Sequence, residues 1–449
     1  MREASLPDLA VRNFRRAFEA LVSGERATLS RADIEPVTNV PDERTLGDAS
    51  RAGEAALAHT VVIKLNGGLG TSMGMTKAKS LLPVKDGLSF LDVTARQMLR
   101  LRERSGLAVP LVLMNSFRTR DDSLAALAPY GKLSGTLAPD FLQHKVPRIA
   151  VADLAPIAWP QQPEHEWCPP GHGDLYAALA SSGLLGAMLA AGYRTAFVSN
   201  ADNLGAVLDL ALLGWFVESR APFAMEVKQR TLADRKGGHL ARTRDGRFTL
   251  REVAQCPPEE RESFEDVGLW RFFNTNNLWV DLPALAAALE RCDGVLPLPL
   301  IQNEKPVDPE DPTSPRVLQL ETAMGAAISV FEGARAICVS EQRFAPVKTT
   351  ADLLRVRSDA YVRDAEERVL PAPGGLGSAI SIDLAPAFFR SVAQLDARTP
   401  HGPPSLVACR RLVVKGDVHF GKGVVIRGDA TLEAPAGGRL DVADGAVVE

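Results

Sequence analysis

The sequence predicts an α/β fold around a largely parallel sheet, closed at its C-terminal end by a small parallel β-helix. Three observations carry that expectation. Apolar runs at Thr60–Lys64, Val109–Met114 and Thr195–Val198 read as buried strands and alternate with helical stretches. A glycine-rich loop follows the first of these runs, where open α/β sheets bind ligands. Finally, LVVKGDVHFGKGVVIRGDATLEA repeats short apolar pairs roughly every six residues between Gly-Asp and Gly-Lys-Gly turns, the pattern of a parallel β-helix.

Taken in order, residues 1–55 are charged and mostly helical in pattern, with an Asp-rich linker near Val40–Ala49, and are expected to form a helical extension. Ser89 with Asp92 three residues on has capping-box spacing, and Leu91, Ala95, Met98 and Arg102 then share a helix face. Leu175–Tyr193 carries no charge but is rich in Ala, Gly and Ser, which predicts one buried helix rather than a bilayer span. Pro371–Gly377 and Thr399–Pro404 read as linkers or turns, and Val307–Pro315 as a surface loop. The expected organisation is an extension (1–55), a catalytic unit (56–375) and a β-helix unit (376–449).

Composition narrows the function classes. Hydrophobic residues make up 46% of the 449 positions and charged residues 24%, with a net charge of -4. No broad nucleic-acid footprint is expected, so an anionic ligand must meet locally clustered cations. Cys168, Cys256, Cys292, Cys338 and Cys409 are scattered and form no C-x-x-C pair, which fits a reducing cytoplasm and argues against structural zinc or disulfides. The charged N-terminus predicts no secretory leader.

The post-strand loop reads Leu65-Asn-Gly-Gly-Leu-Gly-Thr-Ser-Met-Gly74, then Met75-Thr-Lys-Ala-Lys79. Glycines let backbone N–H groups approach a phosphate chain, and lysines supply the compensating charge. Two common phosphate motifs fail on spacing. G-x-G-x-x-G would need glycine at Met73, and the P-loop pattern has no match.

The segment KLNGGLGTSMGMTKAKSLLPVKDGLSFLDV closely resembles the nucleotide-binding stretch of eukaryotic-type UTP–glucose-1-phosphate uridylyltransferases. The resemblance continues collinearly through LMNSFRTRDDS, FLQHKVPRI, PPGHGDLYAAL, FVSNADNLGA, KGGHLAR, FNTNNLW, QLETAMGAAI and RFAPVKTTADLL into the β-helix segment. It implies a Rossmann-like nucleotidyltransferase core with a mixed, mostly parallel sheet, and a left-handed C-terminal β-helix. The implied substrates are UTP and glucose 1-phosphate, with Mg²⁺ and no organic cofactor. No nucleic-acid or membrane partner is expected. In some relatives the β-helix carries an oligomer contact, so a homo-oligomer stays open and no octamer is carried over.

The chemistry can be read beside that resemblance. A phosphate monoester has a second pKa of about 6 and is largely dianionic at neutral pH, so the nucleophile needs no general base. Catalysis then rests on positioning and charge neutralisation. By resemblance, Lys79 contacts the triphosphate, although Ala78 stands where the family usually has proline, and Lys77 is an ordinary solvated lysine. Lys348 matches the catalytic lysine between the α-phosphate and the sugar phosphate, and Asp202 matches the metal carboxylate. Gln143 matches the uracil-reading glutamine, while Leu65, Asn66, Gly67, Gly68 and Gly171 match backbone contacts to base and ribose. Met114 would lie under the base or simply pack in the core. His172 matches the sugar-phosphate contact, and Asn200, Gly238, Glu252, Asn274 and Asn276 match positions lining the sugar. A UDP-N-acetylhexosamine or broad UDP-sugar pyrophosphorylase is the nearest rival. An NAD(P)-dependent oxidoreductase is disfavoured by the glycine spacing. A non-catalytic UDP-sugar sensor would not need Lys79, Asp202 and Lys348 together.

Overall fold

The computed structural model describes residues 1–24 and 28–449. Ten strands form the central sheet: β1 Ile34–Pro36, β2 Thr60–Asn66, β3 Leu111–Asn115, β4 Asp140–Leu142, β5 Thr195–Asn200, β6 Phe223–Gln229, β7 His239–Thr243, β8 Phe248–Arg251, β9 Phe272–Asp281 and β10 Arg335–Cys338. Their spatial path is β1-β7-β9-β5-β2-β3-β4, with β6 bridging β9 to β10 and β8 on β7. Pairing is parallel through β5, β2, β3 and β4 and again between β6 and β10. It is antiparallel at β5–β9, β6–β9, β1–β7, β7–β8 and β7–β9. The sheet is mixed, as expected; parallel order rules the half that carries the glycine loop, and the other half is largely antiparallel.

The three strands read from the sequence are present and slightly longer or shifted. β2 is buried throughout, as a strand covered on both faces must be. Asn200 at the end of β5 pairs in register with Leu65 on β2, so the loops that follow the two strands emerge side by side. The helix Phe90–Ser105 begins with the expected Ser89–Asp92 capping box and ends at Gly106, in the left-handed region at φ +70°. Arg102 on its inner face donates to the carbonyls of Val109 and Leu133, tying the helix to the entry of β3.

Other expectations need correction. The charge-free Leu175–Tyr193 stretch is two helices, Leu175–Ser181 and Leu184–Ala190, bent by 67° where Gly183 adopts φ +73°. The first buries Leu175 and Leu179, the second Leu184, Leu185 and Met188. Among the described residues no single helix is long and apolar enough to cross a membrane. The N-terminal segment is helical at Asp8–Val22 and Ser50–Leu57, yet it also supplies β1 to the edge of the sheet. Val307–Pro315 turns a hairpin between Ile301–Pro306 and Arg316–Glu321; Val307 is fully buried and donates its N–H to Pro315.

Toward the C-terminus, strands pair in parallel on three short faces. Ser381–Leu384, Cys409–Lys415 and Gly428–Glu433 make one, Asp417–Phe420 with Arg439–Val442 the second, and Val425–Ile426 with Val447–Val448 the third. One apolar cluster joins this part to the nucleotide-loop side: Met73, Leu82, Leu204 and Val347 pack with Leu384, Phe389 and Leu395.

Two helices cross at a glycine–glycine contact. A Cβ on Gly214 would lie 1.8 Å from the Ala49 carbonyl oxygen, and one on Gly53 would lie 1.9 Å from that of Leu210. Both obstacles are backbone, so a side chain there must push the helices apart. Gly214→Ala is expected to lower unfolding free energy by about 3 kcal/mol, read as a shifted denaturant midpoint at unchanged slope.

Candidate functional site

The nucleotide loop leaves β2 over a polar ladder. Asn66 turns its side-chain amide inward to Asn115 (2.8 Å) and Ser123 (2.8 Å), and its carbonyl accepts from Thr119 (2.7 Å). Asn115 in turn donates to Asp140, which the Arg120 guanidinium also holds. The Asn66 side-chain amide and carbonyl thus anchor the loop to the strand and helix beside it. Further along, the Lys79 N–H donates to the Gly68 carbonyl at 3.1 Å, closing the loop on itself. Gly74, at φ +71°, abuts Ser391, where a Cβ would lie 2.9 Å from the serine Cβ.

A cavity of 260 Å³ opens at the carboxyl ends of β2 and β5. Leu65, Asn66, Gly67, Gly68, Lys79, Met114, Gln143, Gly171, His172, Asn200 and Asp202 all line it. Most of the residues matched to UTP thus meet in one place. Met114 is both lining and core, 1% exposed and packed in the main apolar cluster. Lys77 is exposed, as expected for a solvated lysine.

Gln143 donates from Nε2 to the Gly171 carbonyl at 2.8 Å. Its Oε1 lies 2.5 Å from where a Gly67 Cβ would stand, so only glycine leaves room for the amide there. Gly171 adopts φ +77°, and a Cβ there would lie 2.4 Å from the Thr322 carbonyl oxygen. The 170–174 turn is thus clamped to the segment after the hairpin, with Gly173 donating to Thr322 and Thr322 to Pro170.

His172 has a defined tautomer. Its Nδ1 accepts the Met324 N–H at 2.9 Å, so the ring proton sits on Nε2. Burial pulls its pKa down to about 4. A neutral Nε2–H donor is what remains for the cavity throughout the neutral range. Beneath it lies a pair the sequence reading missed: buried Asp174 accepts from His144 N–H (2.7 Å) and pairs with its Nδ1 (2.9 Å), fixing the residue next to Gln143.

Lys79 and Asp202 form an ion pair at 2.6 Å, with side chains 16% and 27% exposed. Lys348 does not share their cavity. It is exposed and lines a neighbouring cavity of 940 Å³ together with Lys228, Asp234, Lys236 and Phe273. The expectation of a single pocket around Lys79, Asp202 and Lys348 is corrected to two adjoining cavities. Their shared wall is backbone: Val347, beside Lys348, donates to the Asp202 carbonyl at 3.4 Å.

The residues matched to the sugar form a third group. The Glu252 carboxylate packs over Gly238, with Oε2 2.5 Å from a Cβ built there. The Asn274 amide donates to Asn276 Oδ1 at 2.9 Å, its backbone N–H donates to the Gly238 carbonyl, and Asn276 adopts φ +59°. Burial raises the Glu252 pKa and the nearby Lys348 charge opposes that rise, so this group lies within the electrostatic reach of Lys348. Among the described residues no three His, Cys, Asp or Glu side chains cluster as a metal site.

An α/β sheet with a glycine loop, a lysine–carboxylate pair and a base-sized cavity at its carboxyl edge defines a nucleotide-binding enzyme scaffold. Residues 11–427 match the family model described as UTP–glucose-1-phosphate uridylyltransferase, and the chain belongs to that family. It is 43% identical to the UTP–glucose-1-phosphate uridylyltransferase of Hordeum vulgare over 89% of this chain and 82% of that one. The Saccharomyces cerevisiae counterpart is 39% identical over 88% and 77%. Among solved structures, a Leishmania major UDP-glucose pyrophosphorylase variant in complex with UDP-glucose superposes with a TM-score of 0.92 at 43% identity, covering 100% of this chain and 96% of that one. UDP-glucose phosphorylase from Trypanosoma brucei gives 0.92 at 40% identity, with the same coverage.

The depressed His172 pKa has a consequence for stability. The unfolded imidazole titrates near 6.5 and the folded one near 4, so the unfolded chain binds more protons between those values. This contribution is complete above pH 6.5 and is lost as pH falls through 4. His239, also buried and depressed, acts in the same sense. In urea titrations, wild type is expected to lose more stability than His172→Gln on going from about pH 7 to pH 5; equal losses would reject the buried neutral imidazole.

Proposed function

We propose that this chain transfers the uridylyl group of UTP to glucose 1-phosphate, releasing pyrophosphate and forming UDP-glucose. The observation that carries the proposal is the convergence of the glycine loop, Gln143, His172 and the Lys79–Asp202 pair on one cavity. Family membership supports the same substrates.

In this reading a sugar-phosphate oxygen forms the new bond to the α-phosphorus while the bond to pyrophosphate breaks on the opposite side. The dianionic nucleophile needs no base, and none of the roles here asks for one. Gln143, with Nε2 committed to Gly171, offers Oε1 to a base N3–H, and Gly67 keeps room for that amide. His172 donates Nε2–H to the sugar phosphate without adding charge. Lys79 and Lys348 neutralise the phosphates from either side of the Asp202–Val347 contact. Two ammonium groups converge only on an anion, so they stabilise the crowded transferring phosphate more than either separate substrate.

Asp202 presents one partly exposed hard-oxygen donor beside the phosphate-facing lysine, which fits Mg²⁺ completed by phosphate oxygens. When bound, the ion would supply charge neutralisation on the triphosphate. Asn200, Gly238, Glu252, Asn274 and Asn276 are assigned to the sugar. We also divide the chain at residues 55 and 375, and read the parallel coils at the C-terminal end as a left-handed β-helix. The five free thiols support a cytoplasmic location.

Two measurements test this. With glucose, galactose and N-acetylglucosamine 1-phosphates side by side, kcat/KM is expected to favour glucose by at least about tenfold. Equal rates, or UDP-sugar binding without pyrophosphate release, would point to the broad-specificity or sensor readings. Lys348→Ala is expected to lower kcat by about 100-fold or more, and near-normal turnover would remove Lys348 from the chemistry.

A further inference from the structure

The segments that carry Asp202 and Lys348 are joined by more than a single backbone contact. Asn203 and Pro346 form an antiparallel bridge, and Leu204 donates to the Ala345 carbonyl at 3.4 Å. Asn203 itself is 4% exposed and uses its whole side-chain amide on this junction. Nδ2 donates to the Arg343 carbonyl (3.1 Å) and to Asn277 Oδ1 (3.2 Å). Oδ1 accepts from the N–H groups of Ala345 (2.9 Å) and Gly205 (3.1 Å). Two donors and two acceptor positions are all filled.

The far side of the junction is held equally firmly. Arg343 makes a two-pronged pair with Glu226, Nε to Oε2 and Nη2 to Oε1, both at 2.8 Å. Gly205 passes so close to the 342–343 backbone that a Cβ would lie 2.2 Å from the Gln342 carbonyl oxygen. Neither segment can slide past the other without breaking this set together.

From this geometry we infer that Asn203, backed by the Glu226–Arg343 pair, is a positioning residue that fixes the Lys348 segment relative to Asp202. It touches no substrate and acts through Lys348. The inference rests on the roles proposed above for Asp202 and Lys348. Asn203→Asp keeps the size and both acceptor contacts but sets a carboxylate oxygen against the Arg343 carbonyl and Asn277 Oδ1. Asn203→Ser removes the donors without adding charge.

The test is steady-state kinetics on Asn203→Ser, Asn203→Asp, Lys348→Ala and the Asn203→Ser/Lys348→Ala double variant of the full chain, with thermal midpoints as control. Both single Asn203 variants are expected to lose about 100-fold in kcat, with the KM for UTP within about threefold of wild type. The double variant is expected to be no slower than Lys348→Ala alone, because the positioning has nothing left to position. If the Asn203 variants do not fold, Arg343→Lys, which keeps the charge beside Glu226 but loses the fork, takes their place in the same cycle. Losses that multiply in the double variant, a parallel rise in UTP KM, or kcat within threefold of wild type would each overturn the inference. Normal turnover by Lys348→Ala would instead overturn the site assignment beneath it, so the two failures read differently.

Discussion

The Glu226 carboxylate is the constraint around which the catalytic edge of the sheet is arranged. It is fully buried, and an unpaired charge there would be several kcal/mol unfavourable. Four donors meet it: two from Arg343, the Asn277 amide and the Trp279 indole N–H. Its lone-pair positions are thereby filled by bonds that the charge itself strengthens. Lys64 sits behind them on β2, donating to Ser199 and the Ala206 carbonyl. Burial, with the Arg343 charge, pulls its pKa down to about 7, against the pull of Glu226 and Asp202. Removing any one partner would leave another buried group unmatched, so the elements that supply them, β2, β5, β6, β9 and the 343 segment, are held as one unit.

On that unit rest two loops that are not themselves strongly anchored by secondary structure. The glycine loop and the lysine-bearing segment each send an apolar side chain, Met73 and Val347, into the cluster shared with Leu384, Phe389 and Leu395. Thr350 and Arg357, just past Lys348, reach the Phe389 carbonyl and Asp396. The C-terminal part therefore forms the floor under the segments that carry Lys79 and Lys348. Its packing and the buried polar network oppose each other across the same loops, and the loops take their shape from both.

How much of this was legible beforehand follows from what kind of interaction sets each feature. Apolar runs marked β2, β3 and β5 because burial on both faces demands them, and the glycine loop stood out because only glycine tolerates such close backbone approach. The antiparallel half of the sheet left no comparable mark: β9 is nearly as buried as β2, so composition does not separate the two orientations. Gly183 broke a helix inside a stretch without charges to signal the turn. β1 is three residues long and depends on a partner two hundred positions away. Site residues on local motifs were readable by resemblance, whereas Asn203, Asn277, Glu226 and Arg343 declare themselves only through each other. Three of those four lie within or at the edge of the segments that carried the resemblance, next to residues chosen for direct contact.

Under the roles proposed above, the charges at the site are graded in a way that suits one kind of substrate pair. At the base end the groups are neutral: Gln143, backbone of the glycine loop and Met114. In the middle stand Lys79, Asp202 and, across the backbone wall, Lys348 with Lys228 and Lys236 beyond it. At the sugar side the groups are neutral or acidic again, Asn200, Asn274, Asn276 and Glu252, and His172 is kept uncharged by burial. A cationic imidazole there would bind inorganic phosphate as readily as a sugar phosphate, since charge alone does not distinguish them. A neutral donor held by the Met324 N–H would contribute direction instead, and leave discrimination to the amides assigned to the sugar. Glu252 fits the same logic: burial disfavours its charge, Lys348 favours it, and its carboxylate lies against Gly238. In that reading the lysines stand where phosphate oxygens would accumulate during transfer, which is where neutralisation accelerates the reaction rather than merely tightening binding.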